Sequence, residues 1–358
     1  MLEISGQHVN WKRNARMFEV KNIEPRYLTI GIPTVRRNKT SYFFESLDSL
    51  LNSTTEKQTS EIIIVIFLAD FNTTWKSDMF NKIQRRYPTL VKDNTIQVIQ
   101  AYKDFYPPLD NLRHTFNDSE ARTKWRSKQN VDYAFLWMYC AGLSKFYMQT
   151  EDDVLIVNGY IDIIKDFILQ QKEDWWSLEF SQIGFIGKVF HSDHLEKLAK
   201  TILLFYDTQP VDFLFMYANY LNLQNHRIIR RPTIFRHIGY HSSLPGKVME
   251  ADDKYFDDDV KKVIKGDNPS AKLFTTLRIS PDFPLEQSYL PTDGYFWAHS
   301  SPNANDTLHI LFDKPQKLKR IVVLTGSRGH PNDILENARM EACLTVKLIN
   351  ANQIECFN

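Results

Sequence analysis

The segment Glu61–Asp70, EIIIVIFLAD, constrains the fold of this 358-residue chain more than any other. It is rich in β-branched residues and nearly all apolar, which is typical of a strand buried on both faces. A similar run, Tyr27–Pro33, precedes it, and between them Tyr42–Leu51 spaces its apolar residues as an α-helix does. The order strand, helix, strand predicts an α/β sheet.

The rest of the chain divides into an α/β part and a β-rich part. Further elements are predicted at Asn94–Ala101 (strand), Val131–Leu143 (buried helix), Lys145–Thr150 (strand) and Tyr160–Gln170 (helix). Beyond about Lys265 the helical periods fade, and short segments alternate with turn residues. We therefore expect a stem-like leader over residues 1–25, an α/β domain over 26–270 and a β-rich module over 271–358.

Composition limits the kinds of partner. The chain has 44 Lys and Arg against 43 Asp and Glu, a net charge of +1, which argues against nucleic-acid binding through bulk charge. The longest apolar stretch, Tyr133–Leu143, is shorter than the roughly 20 residues that cross a bilayer, so we expect no membrane span in this chain. Glycosylation sequons favour the secretory pathway mildly; they lie at Asn38, Asn52, Asn72, Asn117 and Asn305.

The three cysteines are too few for a disulfide framework and too scattered for a zinc site. Cys140 lies in the predicted buried helix and is expected in the core. Cys343 and Cys356 form one bridge or none, depending on whether the compartment is oxidising.

The strongest local signal is the acidic triplet Glu151-Asp152-Asp153, directly after a predicted strand. Side chains two apart on a strand point the same way, so Glu151 and Asp153 are expected to share a face. Crowded carboxylates at the end of a buried strand repel one another unless a cation or hydrogen-bond donors offset their charge. A hard divalent ion such as Mn²⁺ or Mg²⁺ with a nucleotide diphosphate would do so, and a solvated acidic turn is the alternative.

Three other segments carry residues suited to anionic or metal ligands. Phe235–Lys247, FRHIGYHSSLPGK, offers imidazoles for a metal shell and a lysine for a phosphate, with Gly239 favouring a loop. Thr34-Val35-Arg36-Arg37 follows the first strand, where an open α/β sheet places its ligand crevice. Thr123–Asp132 sets three cations and two amides before the buried helix. Structural histidines and an ordinary solvated helix turn are the alternatives.

Two acids outside the triplet are candidate general bases. Glu179 lies in WWSLEFSQIGF and Asp212 in QPVDFLF, each among aromatic and aliphatic residues. An isolated acid in such surroundings needs a partner or a purpose, and an inverting displacement at a sugar carbon needs such a carboxylate. The alternative for each is a paired or capping carboxylate. Aromatic side chains nearby, including Trp175, Trp176, Phe180 and Phe213, either stack on sugar faces or pack in the core.

Together these segments resemble the N-acetylglucosaminyltransferase IV family. The resemblance rests on YLTIGIPTVRR, VIFLADFNTTW, FYPPL, FNDSEARTKWRSKQNVDYAFLW, the E-D-D triplet, SLEFSQIGFIGKVF, PVDFL and FRHIGYHSSLPGK. That family transfers GlcNAc from UDP-GlcNAc in β1,4 linkage to the α1,3-arm mannose of N-glycans. The resemblance therefore implies a metal-dependent, inverting glycosyltransferase with a GT-A type fold, a Rossmann-like mixed sheet that binds nucleotide sugars.

The resemblance also implies roles for individual residues. Asp153 and His237, the latter in an H-x-G pattern, would hold a divalent metal, most simply Mn²⁺. The donor-site residues it implies are Thr34, Arg36 and Asp70 near uridine, Arg126, Lys128 and Gln129 for orienting donor or acceptor, and Glu151, Asp152 and Lys247 around ribose and diphosphate. Asp212 ranks ahead of Glu179 as the base, because related GlcNAc transferases present an acid just before an apolar helix.

The C-terminal segment resembles the opening half of the family's β-sandwich lectin module, with Asp293, His330 and Asp333 as glycan contacts. The family's amino-terminal anchor is not found, Thr150 replaces an apolar residue before the triplet, and the lectin-like module ends early. We expect a Golgi lumenal enzyme, or a soluble or secreted form of it, that acts on N-glycans of glycoproteins and associates with other Golgi glycosyltransferases. The alternative is a catalytically silent member that binds and regulates another N-acetylglucosaminyltransferase.

Overall fold

The computed structural model describes residues 8–19, 24–37, 39–241, 243–244, 253, 255–256, 267–290, 295–326, 333–335, 337–343, 345–350 and 353–357. The chain forms two compact units. The first comprises Met1–Ile229 and Ile234–Asp253, and the second Arg230–Thr233 and Lys254–Asn358. The second unit therefore starts before residue 271, where the sequence places the change.

A six-stranded mixed sheet is the centre of the first unit. Its strands are β1 Arg26–Thr34, β2 Ile62–Leu68, β3 Ile96–Ile99, β4 Ser144–Gln149, β6 Ser177–Glu179 and β7 Lys188–His191. Their order across the sheet is β3-β2-β1-β4-β7-β6. The first four are parallel, and β7 runs antiparallel to both β4 and β6. All seven residues of β2 are buried, as its apolar sequence predicts. The carboxyl ends of β1, β2 and β4 consequently meet at one edge of the sheet.

Nine α-helices are described in the first unit. They are α1 His8–Ala15, α2 Phe43–Asn52, α3 Glu56–Thr59, α4 Thr73–Arg86, α5 Pro88–Lys92, α6 Glu120–Cys140, α7 Tyr160–Leu169, α8 Leu195–Leu204 and α9 Val211–Leu221. Helix α6 starts where the Ser119 side chain accepts a hydrogen bond from the Arg122 N–H. Its second half, from Val131 onward, is wholly buried, which confirms the predicted buried helix.

The amino-terminal segment belongs to the packed domain, which starts earlier than the sequence predicts. The Trp11 ring of α1 meets Phe135 edge-on at 5.7 Å, and Lys12 donates to the Ala141 carbonyl at 2.7 Å. The Met17 N–H donates to Val98 O of β3 at 3.0 Å. The contact depends on one aromatic residue and on backbone hydrogen bonds, neither of which leaves a periodic sequence signal.

The second unit is β-rich, as predicted. Its strands form two antiparallel pairs, β9 Ala271–Thr275 with β10 Leu308–Phe312, and β11 Thr345–Asn350 with β12 Gln353–Phe357. The Phe283 ring packs on Tyr295 and Trp297, with centroids 5.0 and 5.1 Å away. A complete lectin-like sandwich stays a prediction. Of its predicted glycan contacts, Asp333 is exposed, whereas Asp293 and His330 lie outside the described residues.

Cysteine chemistry differs between the units. Cys140 is a free, buried thiol in α6, which confirms its predicted place in the core. Cys343 is disulfide-bonded, and the side chain of Cys356 lies outside the described part.

A small antiparallel ribbon completes the first unit, β5 Val154–Ile156 paired with β8 Phe235–His237. In the described part of the chain, no helix has the length and apolar character required to cross a bilayer.

Candidate active site

The acidic triplet lies at the sheet edge where β1, β2 and β4 end, in the short connection from β4 to β5. The β5–β8 ribbon brings a distant segment of chain to it, because Val154 of β5 pairs with His237 of β8. The Ile238 N–H then donates to the Asp153 carbonyl at 2.9 Å. As a result, His237 Nε2 stands 3.5 Å from Asp153 Oδ2.

Glu151, Asp153 and His237 form a cluster suited to a cation. One ligand atom from each lies within 4.8 Å of the others. Strand β4 ends at Gln149, so the connection after it, and not strand alternation, brings the Glu151 and Asp153 carboxylates together. Asp153 Oδ1 is buried without a hydrogen-bond partner. Gly239 passes so close that a Cβ there would overlap Asp153 Oδ2 and lie 2.9 Å from His237 Nε2. Two carboxylates and an imidazole around an unsatisfied buried oxygen fit a divalent ion such as Mn²⁺.

Asp152 points instead toward β1 and the loop after it. Thr34 Oγ1 donates to Asp152 Oδ2 at 2.6 Å. The Arg37 guanidinium, whose side chain is only 8% exposed, donates to Asp152 Oδ1 and to Asp153 Oδ2, the latter at 2.9 Å. Its other terminal nitrogen donates to the His241 carbonyl at 2.8 Å. Arg37 therefore links the end of β1, the triplet and the loop after β8.

The three carboxyl groups of the triplet have different proton affinities. Burial, followed by the charges of Asp153 and Asp212, raises the pKa of Glu151 to about 7. Burial also raises the pKa of Asp152, although Arg37 opposes the shift. For Asp153, burial acts in the same direction but is outweighed by His237 and Arg37, so its pKa lies below the ordinary value. The cluster thus retains a proton near neutral pH unless a cation offsets the charge.

The two candidate bases occupy contrasting surroundings. Asp212 is exposed in the first turn of α9, and after burial and Asp153 its charge contributes to the raised pKa of Glu151. Glu179 is fully buried. It accepts from Arg227 Nε and Nη2 at 2.8 and 2.6 Å and from Lys188 Nζ at 2.5 Å. Burial would raise the pKa of Glu179, but these two cations hold it below its ordinary value.

Comparison with known proteins places these residues in a family. The sequence model described as the MGAT4 conserved region matches residues 14–256. The chain belongs to the MGAT4 family. All of the clustered residues, from Thr34 to His241, lie inside the matched range, and the resemblance to the N-acetylglucosaminyltransferase IV family is confirmed.

Relatives of this MGAT4 chain are named as transferases. It is 36% identical over 330 residues to alpha-1,3-mannosyl-glycoprotein 4-beta-N-acetylglucosaminyltransferase C of Mus musculus, covering 92% of this chain and 68% of the relative. It is 35% identical over 329 residues to the corresponding transferase A of Gallus gallus, covering 88% and 61%. The chain thus spans about two thirds of the length of these relatives. Its likeness to the crystal structure of S. aureus TarS is low, at 12% identity and a TM-score of 0.32 over 58% of this chain and 36% of that one.

The structure separates the predicted donor-site residues of this MGAT4 chain into groups. Thr34 lies in the cluster itself. At the neighbouring end of β2, Asp70 accepts from the Arg36 and Asn72 N–H groups at 3.1 and 2.7 Å, so Arg36 contributes its backbone there. Lys128 reaches the same corner, where it donates to the Ala69 carbonyl and, at 2.7 Å, to Asp132.

Of the remaining predicted residues, Arg126 does not join the cluster. Arg126 is buried, and its guanidinium binds Asp118, Thr115 and the Asp207 carbonyl. Gln129 is half-buried, and Lys247 lies outside the described residues. Arg37 is a site residue that the sequence places in the segment after the first strand but to which it assigns no individual role. Its one signal is the adjacent arginine pair after the first strand, which is common on protein surfaces.

Proposed function

We propose that this protein transfers GlcNAc from UDP-GlcNAc to O4 of the α1,3-arm mannose of N-glycans, with inversion and with Mn²⁺ as the divalent ion. The observation that carries the proposal is the cluster of Glu151, Asp153 and His237 within a chain of the MGAT4 family. The names of the relatives supply the linkage and the acceptor. The product would be a new branch of the glycan.

Asp153 and His237 would hold the ion, with Glu151 beside them. A bound divalent ion supplies Lewis acidity that stabilises the departing diphosphate. Arg37 holds Asp152 and one oxygen of Asp153 in place and sets a positive charge next to the triplet. Thr34, Arg36 and Asp70, at the ends of β1 and β2, are proposed to bind the uridine side of the donor, and Lys247 its diphosphate.

Asp212 is the proposed general base. It lies exposed in the first turn of α9, where an acceptor hydroxyl can reach it. Glu179 could accept a proton only by giving up ion pairs with Lys188 and Arg227 in the core. We therefore assign Glu179 a structural role.

The setting of the reaction is part of the same proposal. Family membership alone supports its four remaining parts. These are a Golgi lumenal location, an N-glycan acceptor carried on glycoproteins, association with other Golgi glycosyltransferases, and glycan contacts from a lectin-like module. The GT-A assignment is supported by that membership and by the mixed α/β sheet.

The test is transfer from UDP-GlcNAc to a labelled, GlcNAc-capped biantennary N-glycan, with Mn²⁺ or with EDTA. We expect a product one GlcNAc heavier, β1,4-linked on the α1,3 arm, only when the metal is present. A product of equal yield in EDTA would overturn the metal dependence. No product from folded protein that still binds UDP would overturn the enzyme assignment in favour of a silent regulator.

A further inference from the structure

Two aromatic side chains are exposed side by side next to the proposed base. Phe213 follows Asp212 in α9 and is 44% exposed, and Phe116, in the loop before α6, is 58% exposed. Their ring centroids are 5.8 Å apart and their planes differ by 19°. Nearly parallel rings at this separation are offset, so together they present a continuous aromatic surface.

The backbone that carries Phe116 is strained. Phe116 and Asn117 have φ values of 59° and 56°, and the Asp118 N–H donates to the Thr115 carbonyl at 3.1 Å. This is a β-turn with two left-handed central residues, which Asn and Gly favour and which is costly for phenylalanine. Backbone strain of this kind persists only where the surrounding structure fixes it, and it concentrates at functional sites.

A buried arginine holds this turn in place. Arg126, 1% exposed, donates to Thr115 Oγ1 at 2.6 Å and to Asp118 Oδ2 at 3.0 Å, on the two sides of the turn. The same guanidinium donates to the Asp207 carbonyl at 3.2 Å, just before α9. One side chain thus fixes the loop that carries Phe116 relative to the helix that carries Phe213, which makes Arg126 a positioning residue.

Helix α9, which carries Phe213, packs against a residue that contacts the cation cluster. The Phe185 N–H donates to Glu151 Oε1 at 3.1 Å, and the Phe185 ring packs edge-on against Phe215 of α9 at 5.1 Å. Asp212 lies one helical turn before Phe215 on α9, and the exposed Phe213 follows Asp212 directly. The aromatic pair therefore lies at the end of α9 that carries the proposed base.

We propose that Phe116 and Phe213 form a platform on which one sugar ring of the acceptor glycan stacks while its neighbour presents a hydroxyl to Asp212. The inference rests on the proposed transferase function and names its acceptor subsite. A pyranose has an apolar C–H face that matches an exposed aromatic surface. A protein partner seated here would cover Asp212, so the adjacent acid favours a sugar as the occupant.

The decisive variant is Phe116→Gly, because glycine adopts positive φ without strain. We expect it to raise Tm by about 2 to 4 °C while raising the KM for the glycan by about 5- to 20-fold. The KM for UDP-GlcNAc and kcat should stay within twofold. Phe213→Ala should raise the glycan KM similarly, whereas Phe116→Tyr, which keeps the ring, and Leu204→Ala, an exposed apolar control on α8, should change neither KM.

Two results would overturn the platform. The first is an unchanged glycan KM in both Phe116→Gly and Phe213→Ala. The second is that these variants lose a self-association seen for the wild type in light scattering while their kinetics stay unchanged, which would make the aromatic pair an interface between copies of the chain. If the wild type transfers nothing, the proposed function fails separately. Saturation-transfer NMR of the biantennary glycan with UDP and Mn²⁺ then decides the platform, which requires glycan contacts in the wild type that are lost in Phe116→Gly.

Discussion

The contrast between Glu179 and Asp212 gives a prediction whose magnitude follows from burial. Glu179→Gln keeps the shape of the side chain but removes the charge that faces Lys188, whose side chain is 2% exposed. Breaking a buried ion pair on one side costs about 3 to 5 kcal/mol. We expect about 3 kcal/mol, at the low end, because Lys188 keeps the Ser181 carbonyl at 2.9 Å and Arg227 is 45% exposed. Burial also lowers the pKa of Lys188, which eases the loss of its proton.

The assay is urea unfolding followed by far-ultraviolet circular dichroism, paired with transfer kinetics. Asp212→Asn, at an exposed position, should change the free energy of unfolding by no more than about 0.5 kcal/mol and lower kcat by about 10²- to 10⁴-fold. Glu179→Gln should show the reverse: lower stability, with kcat of the folded fraction near that of the wild type. Adding Lys188→Met to Glu179→Gln should recover most of the lost stability.

The opposite pattern would refute this reasoning. If Glu179→Gln has the same urea midpoint as the wild type yet abolishes transfer, the ion pairs of Glu179 with Lys188 and Arg227 do not stabilise the fold, and Glu179 is the base. If Asp212→Asn transfers GlcNAc at the wild-type rate, Asp212 does not take the acceptor proton. Because each variant is measured for both stability and turnover, a loss of activity through unfolding is distinguished from a loss of the base.

Three further predictions concern pH and the cation cluster. The pKa of Glu179 is lower in the folded state than its ordinary value of 4.5. The ionised Glu179 therefore stabilises the fold fully above about pH 4.5, and this stabilisation is lost as the pH falls through the folded-state pKa. Acidification should therefore reduce the urea midpoint of the wild type more than that of Glu179→Gln. Asp153→Asn should weaken Mn²⁺ binding in calorimetry at least about tenfold and abolish transfer. Gly239→Ala should weaken Mn²⁺ binding similarly, because its Cβ would overlap Asp153. The control is Gly142→Ala, at a glycine with a φ of 80° and no neighbouring atom within 4 Å of the added Cβ. It should lose about 1 kcal/mol of stability through backbone strain and leave the Mn²⁺ affinity unchanged. Unaltered Mn²⁺ affinity in both Asp153→Asn and Gly239→Ala would contradict the assigned ligand set.

Much of the first unit could be read from the sequence, because its signals are local. The run in β2 is apolar on both faces and β2 is buried on both, and the second half of α6 is apolar all round and wholly buried. The triplet was recognisable because three adjacent acids after a strand are unusual. The family resemblance then directed attention to His237, which the structure places in the cluster.

The parts that the sequence did not yield depend on contacts between distant segments. Glu179 and Asp212 look alike as acids among aromatic residues, and only the folded chain shows that Lys188 and Arg227 surround the first. Arg37 reaches the triplet because β1 and β4 are adjacent in the sheet. Likewise, the cations in the first half of α6 suggested ligand binding by Arg126, whereas its partners are internal.

The guanidinium of Arg37 has a consequence for the order in which the site fills. When all three carboxyl groups of the triplet are ionised, the charge of Arg37 offsets one of the three negative charges, and a divalent ion would neutralise the other two. A nucleotide diphosphate arriving alone would instead add like charge to an already anionic pocket. Under the proposed function, this charge balance favours entry of the cation before or together with the nucleotide sugar.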